Sequence, residues 1–196
     1  MSLQRRVKEP ALKCPVPLNA WSDGAQFRGD HRAEITALMY RFMFAMDFGD
    51  RDVFAQCVTD PVLWDLSSNA FPLSGGPADK APVELGRKEF VALALPEAHH
   101  DDTTYVQHDI SNPFIVFTGE RTADILANVQ MRQFRYGADS SGVQTAQRLE
   151  LSGYYSNTVE LDEGRWRIRA LRLTMRGFDP AELAAAAEAR LRQEAL

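Results

Sequence analysis

The stretch RTADILANVQMRQFRY, residues 121–136, reads with a period of two and no helical spacing. A strand of that length must bend, because a flat sheet packs poorly on helices. Its neighbours repeat the pattern: segments 103–110, 113–118, 145–161 and 165–176 have β character, with turn residues between them. Leu161-Asp162-Glu163-Gly164-Arg165-Trp166 forms a hairpin junction. The second half of the chain is therefore a run of antiparallel strands.

Upstream the period changes. From Asp30, the candidate N-cap, the residues Ile35, Leu38, Met39, Phe42, Met43 and Met46 recur at three- and four-residue steps, which predicts a helix over 31–48. Gly49 stops it, and Asp52 to Val58 makes a short second helix. Residues 62–68 (VLWDLSS) read as a strand, a Gly- and Pro-rich loop follows through Pro82, and Arg87 to Leu95 reads as a third helix ended by Pro96. At the end, Asp179-Pro180 followed by AELAAAAEARLRQEAL predicts a helix over 179–196. Helices first and strands afterwards mean α+β. The expected architecture is a cone-shaped roll of a strongly curved antiparallel or mixed sheet, capped by the N-terminal helices and joined by a C-terminal helix. Three regions follow: an extended arm over 1–29, a single domain over 30–178, and the helix 179–196.

The 196 residues suit one domain, and 45% hydrophobic with 25% charged residues is ordinary globular composition. A net charge of −5 favours neither a nucleic-acid backbone nor an anionic membrane surface. No apolar run approaches the roughly 20 residues that span a bilayer, and the basic N-terminus lacks the apolar stretch of a secretory signal. The expected location is the cytoplasm. Cys14 and Cys57 form neither a disulfide framework nor a zinc spacing, and Cys57 reads as core packing.

Two residues carry the candidate chemistry. Asp47 falls at the C-terminal end of the first helix, where the helix dipole disfavours a carboxylate, so something must compensate it. The alternative is a solvated aspartate in the turn Asp47-Phe48-Gly49-Asp50. The letters Asp47-Phe48-Gly49 have no accompanying kinase lysine, glycine loop or HRD. His108 lies on a β-patterned segment; facing inward it becomes a neutral base, provided an acid orients it, and Asp47 can do so from the capping helix. The run His99-His100-Asp101-Asp102 invites a metal, but adjacent loop residues rarely converge on one ion and no spaced partner exists, so no metal is expected. Phosphate-binding glycine loops and a GxSxG elbow are absent, and His31 is unremarkable.

Several stretches taken in order resemble a known family: Ala45-Met46-Asp47, Asp50-Arg51-Asp52-Val53-Phe54, the strand Val62 to Ser68, Gln107-His108, Gly153-Tyr154-Tyr155 and Gly164-Arg165-Trp166-Arg167-Ile168. Over residues 31–176 they are similar to SnoaL-like proteins of the nuclear transport factor 2-like superfamily, with the nearest likeness to the scytalone dehydratase branch. That resemblance implies an Asp–His dyad in the cone, with Asp47 and His108 at its two positions. The histidine would remove a proton beside a carbonyl; related dehydrochlorinases use a similar dyad to eliminate HCl. The chain departs from the dehydratase at Gln133, where that family has a second histidine, near Tyr155, where it has an asparagine, and at Met46 and Leu66, where it has tyrosines. The dyad is kept while the substrate-anchoring groups are not, which points away from that naphthalene-type substrate.

The expectation is thus a lyase (dehydratase) or isomerase without metal or organic cofactor, acting on a small hydrophobic carbonyl, aromatic or polyketide-like compound. Tyr154 or Tyr155, whichever faces inward, supplies a phenol; Tyr40, Phe44, Trp64, Leu66, Val129 and Gln133 are the candidate pocket lining. The other hypothesis is a non-catalytic binding module or assembly subunit, like the small subunit of ring-hydroxylating dioxygenases. Expected partners are a small-molecule ligand and further copies of the chain (dimer or trimer), with no nucleic acid or membrane.

Overall fold

In the computed structural model, residues 28–66, 81–96, 104–138 and 144–178 are described. The predicted helix 179–196, the run His99 to Asp102 and the arm before Arg28 lie outside them.

Helix α1 runs Gly29–Asp47 and buries Ile35, Leu38, Met39, Phe42, Met43 and Ala45. Its N-cap is Arg28, in a left-handed conformation with φ 50° and no side-chain cap. Asp30 is not the cap: it sits in the first turn, where its carboxylate meets the positive end of the helix dipole. Gly49 takes φ 68° and turns the chain. Asp50 then caps α2 (Arg51–Gln56), its side chain accepting the Val53 N–H at 2.9 Å.

The predicted extension of α2 to Val58 does not form. The Cys57 carbonyl accepts the Ile168 N–H at 2.8 Å, and the chain enters strand β1 (Val58–Asp65) at once. Tertiary pairing overrides local helix preference there. Strand β2 (Val83–Leu85), in a stretch to which the local pattern assigns no element, pairs antiparallel with β1 through Val62↔Leu85. Helix α3 (Arg87–Ala94) begins after Gly86, which has no side chain to cap it; Asp60 Oδ1 accepts the Arg87 N–H at 3.1 Å instead.

Four long strands complete the sheet: β3 (Thr104–Phe117), β4 (Thr122–Ala138), β5 (Gln144–Asp162) and β6 (Arg165–Phe178). Segments 103–110 and 113–118 are one strand, with a register shift between Ser111 and Phe114 and Asn112 at φ 54°. The predicted hairpin joins β5 to β6 through Glu163 (φ 49°) and Gly164 (φ 78°), the two positive dihedrals of a type I′ turn. The order is β2-β1-β6-β5-β4-β3, with β1–β6 parallel and the remaining pairs antiparallel, so the sheet is mixed and open.

Between helices and sheet lies an aromatic column. Phe42 stacks on Phe54 at 4.6 Å, Phe54 on Phe90 at 5.5 Å, and Trp64 meets Phe90 edge-on at 5.7 Å. All three phenylalanines are fully buried, so one column ties α1, α2, α3 and β1 together. Cys57 lies beside it, its thiol donating to the Val53 carbonyl at 3.2 Å. Burial pushes that thiol up to about 11.

Gly153 sits at a bulge where β5 and β6 approach closely. A Cβ there would lie 2.0 Å from the Thr174 carbonyl oxygen, whereas one at Gly164 meets nothing within 4 Å. Gly153→Ala is therefore expected to cost more than about 2 kcal/mol or abolish folding, and Gly164→Ala about 1–2 kcal/mol from backbone strain alone; urea unfolding of both variants measures the contrast. Because its thiol titrates near 11, Cys57 in the native protein at pH 8 is expected to alkylate at least about a hundredfold more slowly than an ordinary thiol. Peptide mapping by mass spectrometry reads that rate, which urea should restore.

Candidate functional site

Residues paired across the strands share a face of the sheet. Partners His108↔Met131↔Leu151 and Ile110↔Val129↔Gly153 put His108, Ile110, Val129 and Met131 on one face, and Ala127↔Tyr155↔Leu173 adds Tyr155 to it. This face packs on α1, because Ile125, Val129, Tyr155, Val159 and Ile168 join one core cluster with the buried side of that helix.

Asp47 is the last residue of α1 and reaches β3 across this interface. Its Oδ1 lies 2.5 Å from His108 Nδ1, and its Oδ2 accepts the His108 backbone N–H at 3.0 Å. One carboxylate thus holds one residue at two points. Both side chains are nearly sealed, at 6% exposure for His108 and 9% for Asp47. The two donors supply the compensation a carboxylate needs at the negative end of a helix. Since an ionised carboxylate only accepts, a neutral His108 ring in this contact carries its proton on Nδ1 and its lone pair on Nε2. Among the described residues none hydrogen-bonds Nε2.

Tyr155 is 3% exposed on the same face. Burial, and then the Asp47 carboxylate, raise its phenol above the ordinary tyrosine range, so it stays protonated and able to donate. Tyr154 lies on the opposite face, paired with Asn128 and Thr174, so the expectation that it joins the site is withdrawn.

The predicted pocket lining separates in the same way. Val129 (buried) and Gln133 (half-buried) occupy the His108 face, Gln133 opposite Val106 and Leu149. Trp64 is half-buried against the core by its contact with Phe90, and Leu66 is half-buried just past the end of β1. Tyr40 and Phe44 were expected to line the pocket, but they are 43% and 60% exposed. They project from the outer side of α1, each one residue past a buried position, Met39 and Met43 respectively. Phe44 borders an open groove of about 410 Å³ with Arg41, Ala45, Phe48, Asp50 and Val53, away from the inner face.

A further polar residue on this face, absent from the sequence candidates, is Asn157. It is 1% exposed; its Oδ1 accepts the Arg172 N–H at 2.9 Å and its Nδ2 approaches Met39 Sδ at 3.7 Å. The register shift between Thr158 and Val159 lies next to it. Asn157 therefore braces the bulge and α1 together, two turns before Asp47. The available signal was a lone amide at inward parity between Tyr155 and Val159. Among the described residues, no group of three His, Cys, Asp or Glu is placed to hold a metal ion. No helix there is long and apolar enough to cross a membrane.

The family model of the SnoaL-like domain matches residues 28–172, most of the chain. The protein belongs to the SnoaL-like family. Its helix-capped curved sheet is that of the nuclear transport factor 2-like superfamily, and solved structures share it. Kfla4162 from Kribbella flavida is 23% identical with a TM-score of 0.63, covering 81% of this chain and 99% of that one. A protein provisionally assigned as a scytalone dehydratase, from Novosphingobium aromaticivorans, is 16% identical with a TM-score of 0.59, covering 78% and 88%. The hexachlorocyclohexane dehydrochlorinase LinA-type3 from Novosphingobium barchaimii is 17% identical with a TM-score of 0.57, covering 78% and 91%. At such identities the likeness establishes the fold. No curated protein matches the sequence significantly.

The two-point clamp fixes one tautomer of the SnoaL-like protein's histidine. In ¹⁵N-correlated NMR spectra at alkaline pH, His108 is expected to carry its proton on Nδ1, and Asp47→Asn to mix the tautomers; an Nε2-protonated ring in the wild type would contradict the clamp.

Proposed function

We propose that this SnoaL-like protein is a cofactor-independent lyase of the dehydratase type, or an isomerase, acting on a small uncharged hydrophobic compound with an acidic C–H beside a carbonyl. The single observation that carries the reading is the Asp47–His108 contact at 2.5 Å, with Nε2 unengaged by the described residues. Nothing in core packing alone calls for a nearly sealed carboxylate and imidazole beside Ile110, Val129 and Met131.

His108 Nε2 takes the proton from the carbon, and the C–H electron pair moves onto the carbonyl oxygen as an enolate. Asp47 remains ionised, stabilises the imidazolium and keeps the ring from turning. Tyr155, protonated and within the field of Asp47, donates to the developing oxyanion. In a dehydration the enolate collapses and expels a β-hydroxyl, which leaves as water by taking back the proton held on His108. In an isomerisation the same proton returns to a different carbon. Half-buried Ile110, Met131 and Gln133 surround His108 on the inner face and supply the apolar walls, with one amide to orient the substrate. The likenesses to a scytalone dehydratase and a dehydrochlorinase support elimination over other proton-transfer chemistry.

Turnover of a panel of β-hydroxy carbonyl compounds tests this. His108→Ala and Asp47→Asn are each expected to lower kcat/KM by about 10²–10⁴ with the fold retained. Tyr155→Phe is expected to lower kcat more than it alters KM. Equal turnover by wild type and both dyad variants would exclude the mechanism, and binding without turnover would favour a ligand carrier.

A further inference from the structure

The inward row of β4 changes character along its length. Ala123, Ile125, Ala127 and Val129 are fully buried, whereas Met131, Gln133 and Arg135 are half-buried. On β5, Tyr155 and Leu151 are buried while Leu149, across from Gln133, is half-buried. The register of β4 is unbroken against β5 from Thr122 to Ala138, and against β3 from Thr104 to Ser111. Parity therefore carries over, and Gln133 and Arg135 share the face of His108. The space over the sheet is filled as far as Val129 and opens from Met131, the cross-strand partner of His108, toward Arg135. The dyad stands at the inner end of that open stretch.

Two polar side chains in it take no part in the proton transfer. Gln133 lies two residues and roughly 7 Å beyond Met131, and Arg135 the same step further. Among the described residues none hydrogen-bonds the Gln133 side-chain amide. On the opposite face of the same strand, Arg132 is committed to its own surface, 2.7 Å from Asp109 and 3.2 Å from Glu150. The inward guanidinium of Arg135 carries five N–H donors, more than one neighbour takes up.

We infer that Gln133 and Arg135 recognise the far end of the substrate, which is an elongated compound with a second, neutral acceptor oxygen about 10 Å from its acidic C–H. The inference rests on Asp47 and His108 being the reacting centre. Apolar walls alone orient an elongated molecule poorly, because it can slide along them or enter either end first. A fixed donor at one end removes both freedoms and leaves the acidic carbon beside Nε2. The order along β4 suits this: an apolar side chain beside the base, then an amide, then a guanidinium. The amide can donate or accept midway, whereas the guanidinium only donates. The far group is thus an acceptor such as a ketone or ester oxygen, and an amine there meets a cation and is repelled.

Straight-chain β-hydroxy ketones that differ only at the far position (carbonyl, methylene or amine) test it on the full chain. The wild type is expected to favour the carbonyl compound over the methylene one about tenfold in kcat/KM, with the amine poorest. Arg135→Met should bring the carbonyl-to-methylene ratio to about one, through KM rather than kcat. Arg132→Met, one residue away on the other face, should keep the ratio. Calorimetric titration of the same compounds into His108→Ala reads the preference as a ratio of dissociation constants, without any chemistry. Equal affinity for carbonyl and methylene compounds, or no binding of either, would overturn the inference. So would a preference that Arg135→Met leaves in place or that Arg132→Met removes. A binding preference abolished by Arg135→Met, with no turnover of any compound, would uphold the far-end contact and overturn the dyad chemistry alone.

Discussion

A carboxylate at the C-terminal end of a helix meets a field of the wrong sign, and in this chain two donors from one residue on the facing sheet answer it. The His108 backbone N–H and ring nitrogen together hold both oxygens of Asp47 across a separation of 61 positions in sequence. The clamp works in both directions: it makes the end of α1 tolerable, and it freezes the imidazole so that its second nitrogen faces away from the helix. A surface ion pair does neither, because solvent screens it and its side chains turn freely. With both groups nearly sealed, removing one partner leaves the other buried without compensation.

That clamp depends on where the strands break register. His108 and Ile110 face inward on one side of the irregularity at Ser111 to Phe114, and Ile115 is buried on the other side, although its parity is opposite. Without the extra residue the apolar face of the second half of β3 would point outward. The irregularities opposite Gly153 and opposite Thr158–Val159 each place one extra residue on β6 and do the same for that strand. Gly153 permits the close approach of Thr174, and Asn157 satisfies the backbone next to the second bulge while touching Met39 of α1. The helix is thereby placed against the sheet from two directions, at Asn157 and at His108.

What the sequence made legible follows from which signals are local. The apolar stripe of α1, the stop at Gly49 and the Glu163-Gly164 turn each depend on a few consecutive residues, and each stands where its pattern puts it. The pairing of Asp47 with His108 was legible for a different reason: Asp47 violates the dipole preference, so a compensating partner had to exist. The misplaced features are all decided by distant partners. Val58 leaves the helix because Ile168 takes the Cys57 carbonyl, β2 exists only as a partner for β1, and Arg28 rather than Asp30 begins α1. Which of Tyr154 and Tyr155 faces inward was a matter of parity, fixed only by pairing across β4 and β6.

The error over Tyr40 and Phe44 is the most instructive, because the residues themselves gave no warning. Large aromatics on a helix that also carries a buried stripe read naturally as core or pocket, and periodicity assigns them one side only if the other is polar. On α1 it is not. The inner side needs Ile35, Met39, Phe42 and Met43 to fill the space over the sheet, while the outer side carries Tyr40, Phe44 and Phe48 without any described element packed on them. An isolated domain gains nothing from that second apolar row, and exposing it invites association. The helix that presents Asp47 to His108 is then the same helix that presents an aromatic face to solvent. Anything that docks on that face would rest within one turn of the Asp47 carboxylate.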